Sequence, residues 1–300
     1  MAESDPYWLG ILLSIGSGIM NFTGTVMQKK VVNEIPPENR EERFFRSLIK
    51  KPLWLWGLLF QLAFGAILFM IAQDIIGPTL PPGLMATGLI VLAIGSVKII
   101  HESLRWTEIL GILFMIVAIF FLGLSDLETP VTTEILLDNG FLLRVGIFSM
   151  TCLGIIAFCY IFQRKARGIR GILLVIASGT FFALSNFWIA PLMGTIERVF
   201  GGIAMPMEVI LFVIACVFLI LTNLFGLGFL QTAFKYGQAS NLVSIQQIPT
   251  QIAPILYFFY VFQAIPKHPH STPFLIIGIA LILVATYLLA QRQVKLEEIK

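Results

Sequence analysis

Long apolar stretches alternate with short polar ones along the whole chain, and the apolar stretches are too long for strands of a soluble sheet. A helix rises about 1.5 Å per residue, so a hydrocarbon core of about 30 Å takes about 20 mostly apolar residues. On that measure the spans are Tyr7–Gln28, Leu53–Gln73, Ile76–Val97, Ile109–Leu124, Phe141–Phe162, Gly171–Pro191, Val209–Leu230, Asn241–Val261 and Phe274–Leu289. Lipid offers the backbone no hydrogen bonds, so all nine are expected to be helical even where glycine and β-branched residues are frequent. Asp74 alone interrupts the charge-free stretch from Pro52 to Val97, so spans two and three form a tight hairpin. The GPTLPPG segment, Gly77–Gly83, is expected to unwind or kink the start of span three. Eight or ten spans are the alternatives, and they turn on this hairpin.

Composition excludes a soluble domain. Of 300 residues, 57% are hydrophobic and 12% are charged, against about 25% charged in a soluble protein. The three cysteines, Cys152, Cys159 and Cys216, sit inside apolar runs with no CxxC pair, which argues for small packed side chains rather than a disulfide framework or a metal knuckle. The opening MAESDP is acidic and leads into a long apolar run, the pattern of a first span rather than of a secretory leader. No basic stripe with interleaved aromatics is present, so nucleic acid is not an expected partner.

Charge sets the orientation. Basic residues favour the cytoplasmic loops. With nine spans, one face receives 17 of the 20 Lys and Arg residues, from Lys29 and Lys30 after span one to Arg292, Lys295 and Lys300 in the tail. The other receives Arg144, Arg198 and Lys267, with the acidic segment Asp126, Glu128, Glu134 and Asp138. The expected topology is therefore a multi-pass protein of the cell membrane, N-terminus outside and C-terminus cytoplasmic. Within the first basic loop, Glu38–Arg46 (ENREERFFR) reads either as a short interfacial helix that dips Phe44 and Phe45, or as a solvated loop.

The chain also echoes itself. Residues 10–18 read GILLSIGSG and residues 171–179 read GILLVIASG, identical at seven of nine positions. A second echo joins GILFMIVAIFFLGL from Gly111 to GIALILVATYLLA from Gly278, and the separations within the halves, 101 and 107 residues, are close. Duplication is the simplest account. Span one runs inward and span six outward, so the copies are inverted. The predicted organisation is a first four-helix repeat over 1–125 with its cytoplasmic loop at 29–52. A linker helix with flanking loops follows over 126–170, then a second inverted four-helix repeat over 171–290 and a tail over 291–300. Inverted repeats are an established frame for secondary transporters, with substrate held near the midplane.

Three segments carry a family resemblance. They are GILLSIGSGIMNFTGTVMQKK at 10–30, the stretch from Pro78 to Gly111 with His101, Glu102, Ser103 and Leu104, and LQTAFKYGQASNLVSIQQIPTQIAPILYFF at 230–259. In these, and over nearly its whole length, the chain resembles the drug/metabolite transporter superfamily, and within it most of all the NIPA magnesium-transporter family. The resemblance implies nine spans and transport of magnesium or another divalent cation. The chain departs from that family where an acid mirrors Glu102, having Gln263-Ala264-Ile265-Pro266 instead, and span one lacks the embedded glutamate of small multidrug exporters.

Polar groups in hydrocarbon are costly unless paired or wetted, so they are the candidates for a path. Those singled out are Asn21 and Thr25 in span one, Asn186 in span six, Asn223 in span seven, and Asn241, Ser244, Gln246, Gln247, Thr250 and Gln251 in span eight. Pro249 and Pro254 would free carbonyls among the last group. Asp74, Glu102 and Glu108, near span ends, are the candidate acids, with Asp74 and Glu102 the ones assigned to a transported cation; a capped turn for Asp74, and pairing of Glu102 with Lys98 or Arg105, are the structural alternatives. His101, His268 and His270 lie in loops and make no zinc pattern. With no nucleophile elbow or phosphate loop, neither an enzyme nor a bound cofactor is expected. The expected partners are membrane lipid and a transported cation or small polar solute, and a homodimer is compatible with the sequence. A transporter of a polar metabolite or drug, and a membrane scaffold that moves nothing, are the competing readings.

Overall fold

The computed structural model describes residues 6–35, 44–101, 105–125, 133–266 and 268–298, and every regular element among them is helical. In chain order these are α1 (Pro6–Glu34), α2 (Phe44–Ile49), α3 (Pro52–Ile76, with a π-helical stretch at Phe60–Gly65), α4 (Leu80–Lys98) and α5 (Trp106–Leu124). Then come α6 (Thr133–Leu137), α7 (Asn139–Phe162), α8 (Arg170–Phe200), α9 (Pro206–Ala233), α10 (Ala239–Leu256, running into a π-helical turn at Tyr257–Val261) and α11 (Ser271–Glu298). Among the described residues six helices, α1, α3, α4, α7, α8 and α9, are long and apolar enough to cross a membrane, and Trp106–Phe121 and Ser271–Ala285 are shorter apolar helices.

Local chemistry explains the boundaries. Prolines stand at the first helical position of α3 and α9, where a missing N–H costs nothing. The Asp138 side chain accepts from Phe141 N at 2.8 Å and caps α7. Glu108 and Glu208 reach back one turn to accept from Arg105 N and Met205 N, each at 2.6 Å, and so start α5 and α9. Glu208 is fully buried and is also paired with Arg198 at 2.8 Å.

Two boundaries correct the sequence reading. Span three begins at Leu80 rather than Ile76, because Gly77, at φ 77°, ends α3 in a conformation that suits glycine and Pro81 and Pro82 then fall in the first turn of α4. Span six does not stop at Pro191. The proline sits inside α8, which runs on to Phe200, and Thr195 Oγ1 donates to Pro191 O at 2.8 Å in the following turn. Of the segment expected to lie at the interface, Glu38–Arg43 falls outside the described residues, while α2 buries Phe44 and exposes Phe45. Asp126, Glu128 and Lys267 also fall outside them.

Packing separates central from peripheral helices. In its most apolar stretch α8 is 72% buried, whereas α9 is 22% and α7 33% buried. α8 packs along α9 and α10, α1 along α3 and α4, and α5 along α11. The two helix trios make the same contacts. Ser17 Oγ donates to Gly65 O at 2.8 Å between α1 and α3, and Ser178 Oγ to Gly226 O at 2.7 Å between α8 and α9; each bond joins residues 48 apart. A Cβ on Gly18 would overlap the Met85 carbonyl oxygen of α4, and one on Gly179 the Gln246 carbonyl oxygen of α10. Each of these four residue pairs, 17/178, 18/179, 65/226 and 85/246, is separated by 161 positions.

The basic segments converge at one end of the bundle. Lys29 Nζ donates to Phe234 O at 2.8 Å and Gly237 O at 2.6 Å, Lys235 lies 3.9 Å over the Phe44 ring and Arg170 4.8 Å over Tyr236. At the opposite end Arg144 Nε donates to Val261 O at 2.9 Å and the Tyr257 hydroxyl to Pro78 O at 2.8 Å.

The close crossings predict a sharp contrast. Gly18→Leu or Gly179→Leu is expected to destabilise by about 3 kcal/mol or more, since a backbone carbonyl cannot move aside as a side chain can. Gly154→Leu, on α7 with open space around its Cα, is expected to leave thermal melting in detergent unchanged.

Candidate functional site

A cavity of about 320 Å³ lies where α1, α3, α8, α9 and α10 converge. Ser17 and Asn21, Gln61 to Met70, Phe182 to Ile189, and Leu219 to Asn223 line it from the middle of their helices; Met85 of α4 and Gln246, Gln247 and Thr250 of α10 complete the wall. Its polar lining consists of amides (Asn21, Gln61, Asn186, Asn223, Gln246, Gln247) and hydroxyls (Ser17, Ser185, Thr250). Among the described residues, none of those in the wall carries a formal charge.

Some of these groups are held by protein. Asn223 Nδ2 donates to Ser185 Oγ at 2.7 Å and to Leu219 O at 2.8 Å. Gln246 Nε2 donates to Ser178 Oγ at 2.7 Å, tying α10 to the serine that already bonds α9. Thr250 Oγ1 reaches the carbonyls of Gly179 and Gln246, each at 3.4 Å. Others are not spent. The Asn21 and Asn186 side chains make no hydrogen bond among the described residues: only their backbone carbonyls accept, from Thr25 Oγ1 at 3.0 Å and from Gln73 Nε2 at 3.3 Å. These two amides come from α1 and α8, the matching helices of the two trios. A polar group left unbonded by protein inside an apolar bundle needs water or a ligand, so the cavity is built to hold polar matter.

Toward the basic end the cavity is closed by a chain of buried amides. Gln28 Nε2 donates to Gln61 Oε1 at 2.8 Å, Gln231 Nε2 donates to Gln28 Oε1, and Trp54 Nε1 donates to Gln231 Oε1 at 3.3 Å. Gln61 thereby presents its own NH₂ group to the cavity. Toward the other end Phe69, Met85 and Ile189 pack together with Met70, Met193 and Leu219. Several wall residues are partly exposed at mid-height, among them Leu62, Ala66 and Asn223, and Ile220 is 61% exposed, so the opening faces sideways between α3 and α9.

Of the residues singled out from sequence, Asn21, Asn186, Asn223, Gln246, Gln247 and Thr250 meet at this cavity. Others stand outside its wall. Thr25 is buried and bonds back to its own helix. Asn241 Nδ2 donates to Glu108 Oε1 at 2.6 Å and joins the starts of α10 and α5. Ser244 is buried outside the wall. Gln251 Nε2 donates to Pro82 O at 2.8 Å, holding α10 against the proline-rich start of α4. Asp74 is exposed in the last turn of α3, away from the wall, and Glu102 lies outside the described residues. Among the described residues no three His, Cys, Asp or Glu side chains come together as a metal would need. Ser17, Gln61 and the Gln28–Gln231 pair were not anticipated. Isolated glutamines in different spans give no local pattern, and only the fold brings residues 33 and 203 apart into one chain.

No protein-family model, curated protein or solved structure matches this chain. What the fold and the cavity define is a class: an all-α polytopic membrane protein whose buried polar residues are consistent with transport.

The amide chain gives a test of its own. Gln28→Leu strands the Gln61 oxygen and the Gln231 amide, at about 1–3 kcal/mol for each buried group. Gln28→Leu/Gln61→Leu, which leaves only the Gln231 amide stranded, is expected to recover part of that loss. Thr23→Val, which breaks only a bond to the Ile19 carbonyl within α1, should change thermal melting little.

Proposed function

We propose that the protein is a secondary-type transporter or facilitator, built as nine spans from two inverted four-helix repeats joined by α7, with its substrate held in the central cavity. The observation that carries this reading is the pair of unspent amides, Asn21 and Asn186, facing one cavity from equivalent helices. The repeated serine–carbonyl and glycine–carbonyl contacts support the duplication. The polar helix α10 supplies the ninth span beside the six long apolar helices and the two shorter ones. A scaffold with nothing to carry has no use for a wetted seam. On the charge pattern the basic end is cytoplasmic and the N-terminus lies outside.

For the cargo, the resemblance to the NIPA family favours magnesium or another divalent cation. Bare Mg²⁺ takes six oxygens in strict octahedral order, usually with one or two carboxylates, and this wall offers none. The ion would travel with its water shell. Six waters at about 30 Å³ each take up about 180 Å³, which the cavity of about 320 Å³ accommodates, with amide oxygens accepting from the bound waters. The uncharged wall also favours a second reading, a small neutral polar metabolite, because such a solute requires no counter-charge in a medium of low dielectric constant.

Proteoliposomes containing a magnesium indicator separate these readings. The wild type is expected to admit Mg²⁺, and Asn186→Leu or Gln247→Leu to slow entry about tenfold or more, the worth of one hydrogen bond to a charged cargo. Asp74→Asn should raise the half-saturating concentration without lowering the maximal rate, as befits a group outside the wall. Exchange of neutral solutes without Mg²⁺ entry would select the second cargo. Vesicles that move neither would overturn transport.

A further inference from the structure

At the basic end lies a second hollow, of about 300 Å³, between the last turn of α7, the first turn of α8 and the second half of α9, with Phe45 of α2 across it. Its two halves differ in chemistry. One is polar and cationic. Arg170 lies there with its Nε donating at 2.8 Å to the Oε1 of Gln163, which is 6% exposed, and its guanidinium seated on Tyr236. At the rim Arg164 donates to the Tyr160 hydroxyl at 2.7 Å and stacks on that ring. Lys235, over Phe44, follows Thr232 of the wall by one turn. Among the described residues, no acidic side chain lines the hollow. The other half is apolar and open to the outside of the bundle, where Leu224 and Phe225 are more than half exposed.

On α9 the apolar side of the hollow runs on as an exposed helix face. Thr232, Gly228, Leu224 and Ile220 stand four residues apart on α9 and form one ridge, about 18 Å long at 1.5 Å per residue. The ridge ends at Ile220, on the rim of the central cavity. A Cβ on Gly228 would meet its nearest neighbour, Phe45 Cζ, only at 4.0 Å, so the floor of the hollow is open space rather than a packed crossing. A cationic head, aromatic walls and an apolar track along a lipid-facing helix complement one kind of molecule.

We propose that this hollow binds one anionic glycerophospholipid, its phosphate on Arg170 and Arg164 and one acyl chain along the Gly228–Leu224–Ile220 ridge. A zwitterionic lipid satisfies the track but brings a cation of its own to a site that holds Arg170 in its wall and Arg164 on the rim residue Tyr160. A soluble phosphate satisfies the arginines and leaves the track empty. The site stands on its own, whatever the central cavity carries.

The test uses the full chain, stripped of lipid in detergent and followed by native mass spectrometry. Phosphatidylglycerol and phosphatidylcholine with identical acyl chains are titrated in turn. The wild type is expected to prefer phosphatidylglycerol about fivefold or more, the worth of one basic group at an anionic leaflet. Arg170→Gln should bring the two lipids level. Gly228→Leu should weaken both alike, by filling the hollow without touching the charge. Melting of each variant in lipid-free detergent checks that it folds. Absence of a preference in the wild type would overturn the proposal, as would wild-type lipid binding by the Gly228→Leu protein. Thermal stabilisation by inorganic phosphate equal to that by phosphatidylglycerol would also overturn it, in favour of a soluble anion.

Discussion

At Gly18 and Gly179 two helices cross with a backbone carbonyl where any side chain would have to stand. Lipid tails are as apolar as leucine, so no hydrophobic drive separates helix–helix from helix–lipid contact, and close packing has to hold the bundle together. The crossings supply that packing, and they fix more than distance. With α1 held against α4 at Gly18, the neighbouring Ser17 faces α3 and bonds the Gly65 carbonyl. With α8 held against α10 at Gly179, Ser178 does the same to Gly226 on α9 and also takes Gln246 from α10. Each glycine–serine pair therefore sets three helices at once. Where the two trios meet, longer side chains keep the helices apart, and the cavity is the space that remains.

The polar inventory then divides by what the packing permits. Gln251, Asn241 and Thr25 lie where protein carbonyls or a carboxylate are within reach, and they become fasteners. Asn21 and Asn186 lie where the trios face each other, and among the described residues no hydrogen bond reaches their amides. The same residue type is thus structural at one position and available at another. Burial alone does not separate the two, since Gln251 and Gln247 are both buried; Gln251 is fastened to the Pro82 carbonyl at 2.8 Å, whereas among the described residues Gln247 only accepts from Gln251 Nε2 at 3.5 Å.

That division explains what could be read from the chain. The helical membrane class follows from apolar length and low charge. The echo between residues 10–18 and 171–179 includes the glycine and serine that stand at both crossings, and the contacts that need them recur at the same spacing. Six of the residues singled out as a path do meet at the cavity, because amides and hydroxyls in apolar spans are rare enough to mark it. The span ends were less legible. Proline at 191 reads as a stop, yet it interrupts one hydrogen bond in a helix that neighbours hold on both sides, and α8 continues. Gln28 is visible as a polar residue at the end of span one, but Gln61 and Gln231 are hidden for a different reason: each is a lone glutamine in its own span, and the meaning of all three lies in a pairing between distant segments. Asp74 attracted notice as a charge in an apolar stretch, but a residue in the last turn of a helix can reach the surface, and it does.

The amide chain also bears on how a cavity at mid-height could reach the basic end. Gln28, Gln61, Gln231 and Trp54 form three hydrogen bonds in series across α1, α3 and α9. A net worth of about 0.5–1.5 kcal/mol for each puts the chain at about 1.5–4.5 kcal/mol. That is enough to keep the closed arrangement dominant. It is also small enough for a bound solute to offset, if the solute binds the open arrangement better by a few hydrogen bonds. An ion pair between buried charges in the same place would resist opening far more strongly once its partners were separated. On the proposed transport reading, neutral amides give a closure that is directional and cheap to exchange for water or cargo. The adjacent Lys29, bonded to the Phe234 and Gly237 carbonyls, ties α1 to the link between α9 and α10, so a shift of α1 that parts Gln28 from Gln231 either breaks these bonds or carries with it the start of α10, the helix that brings Gln246 and Gln247 to the cavity.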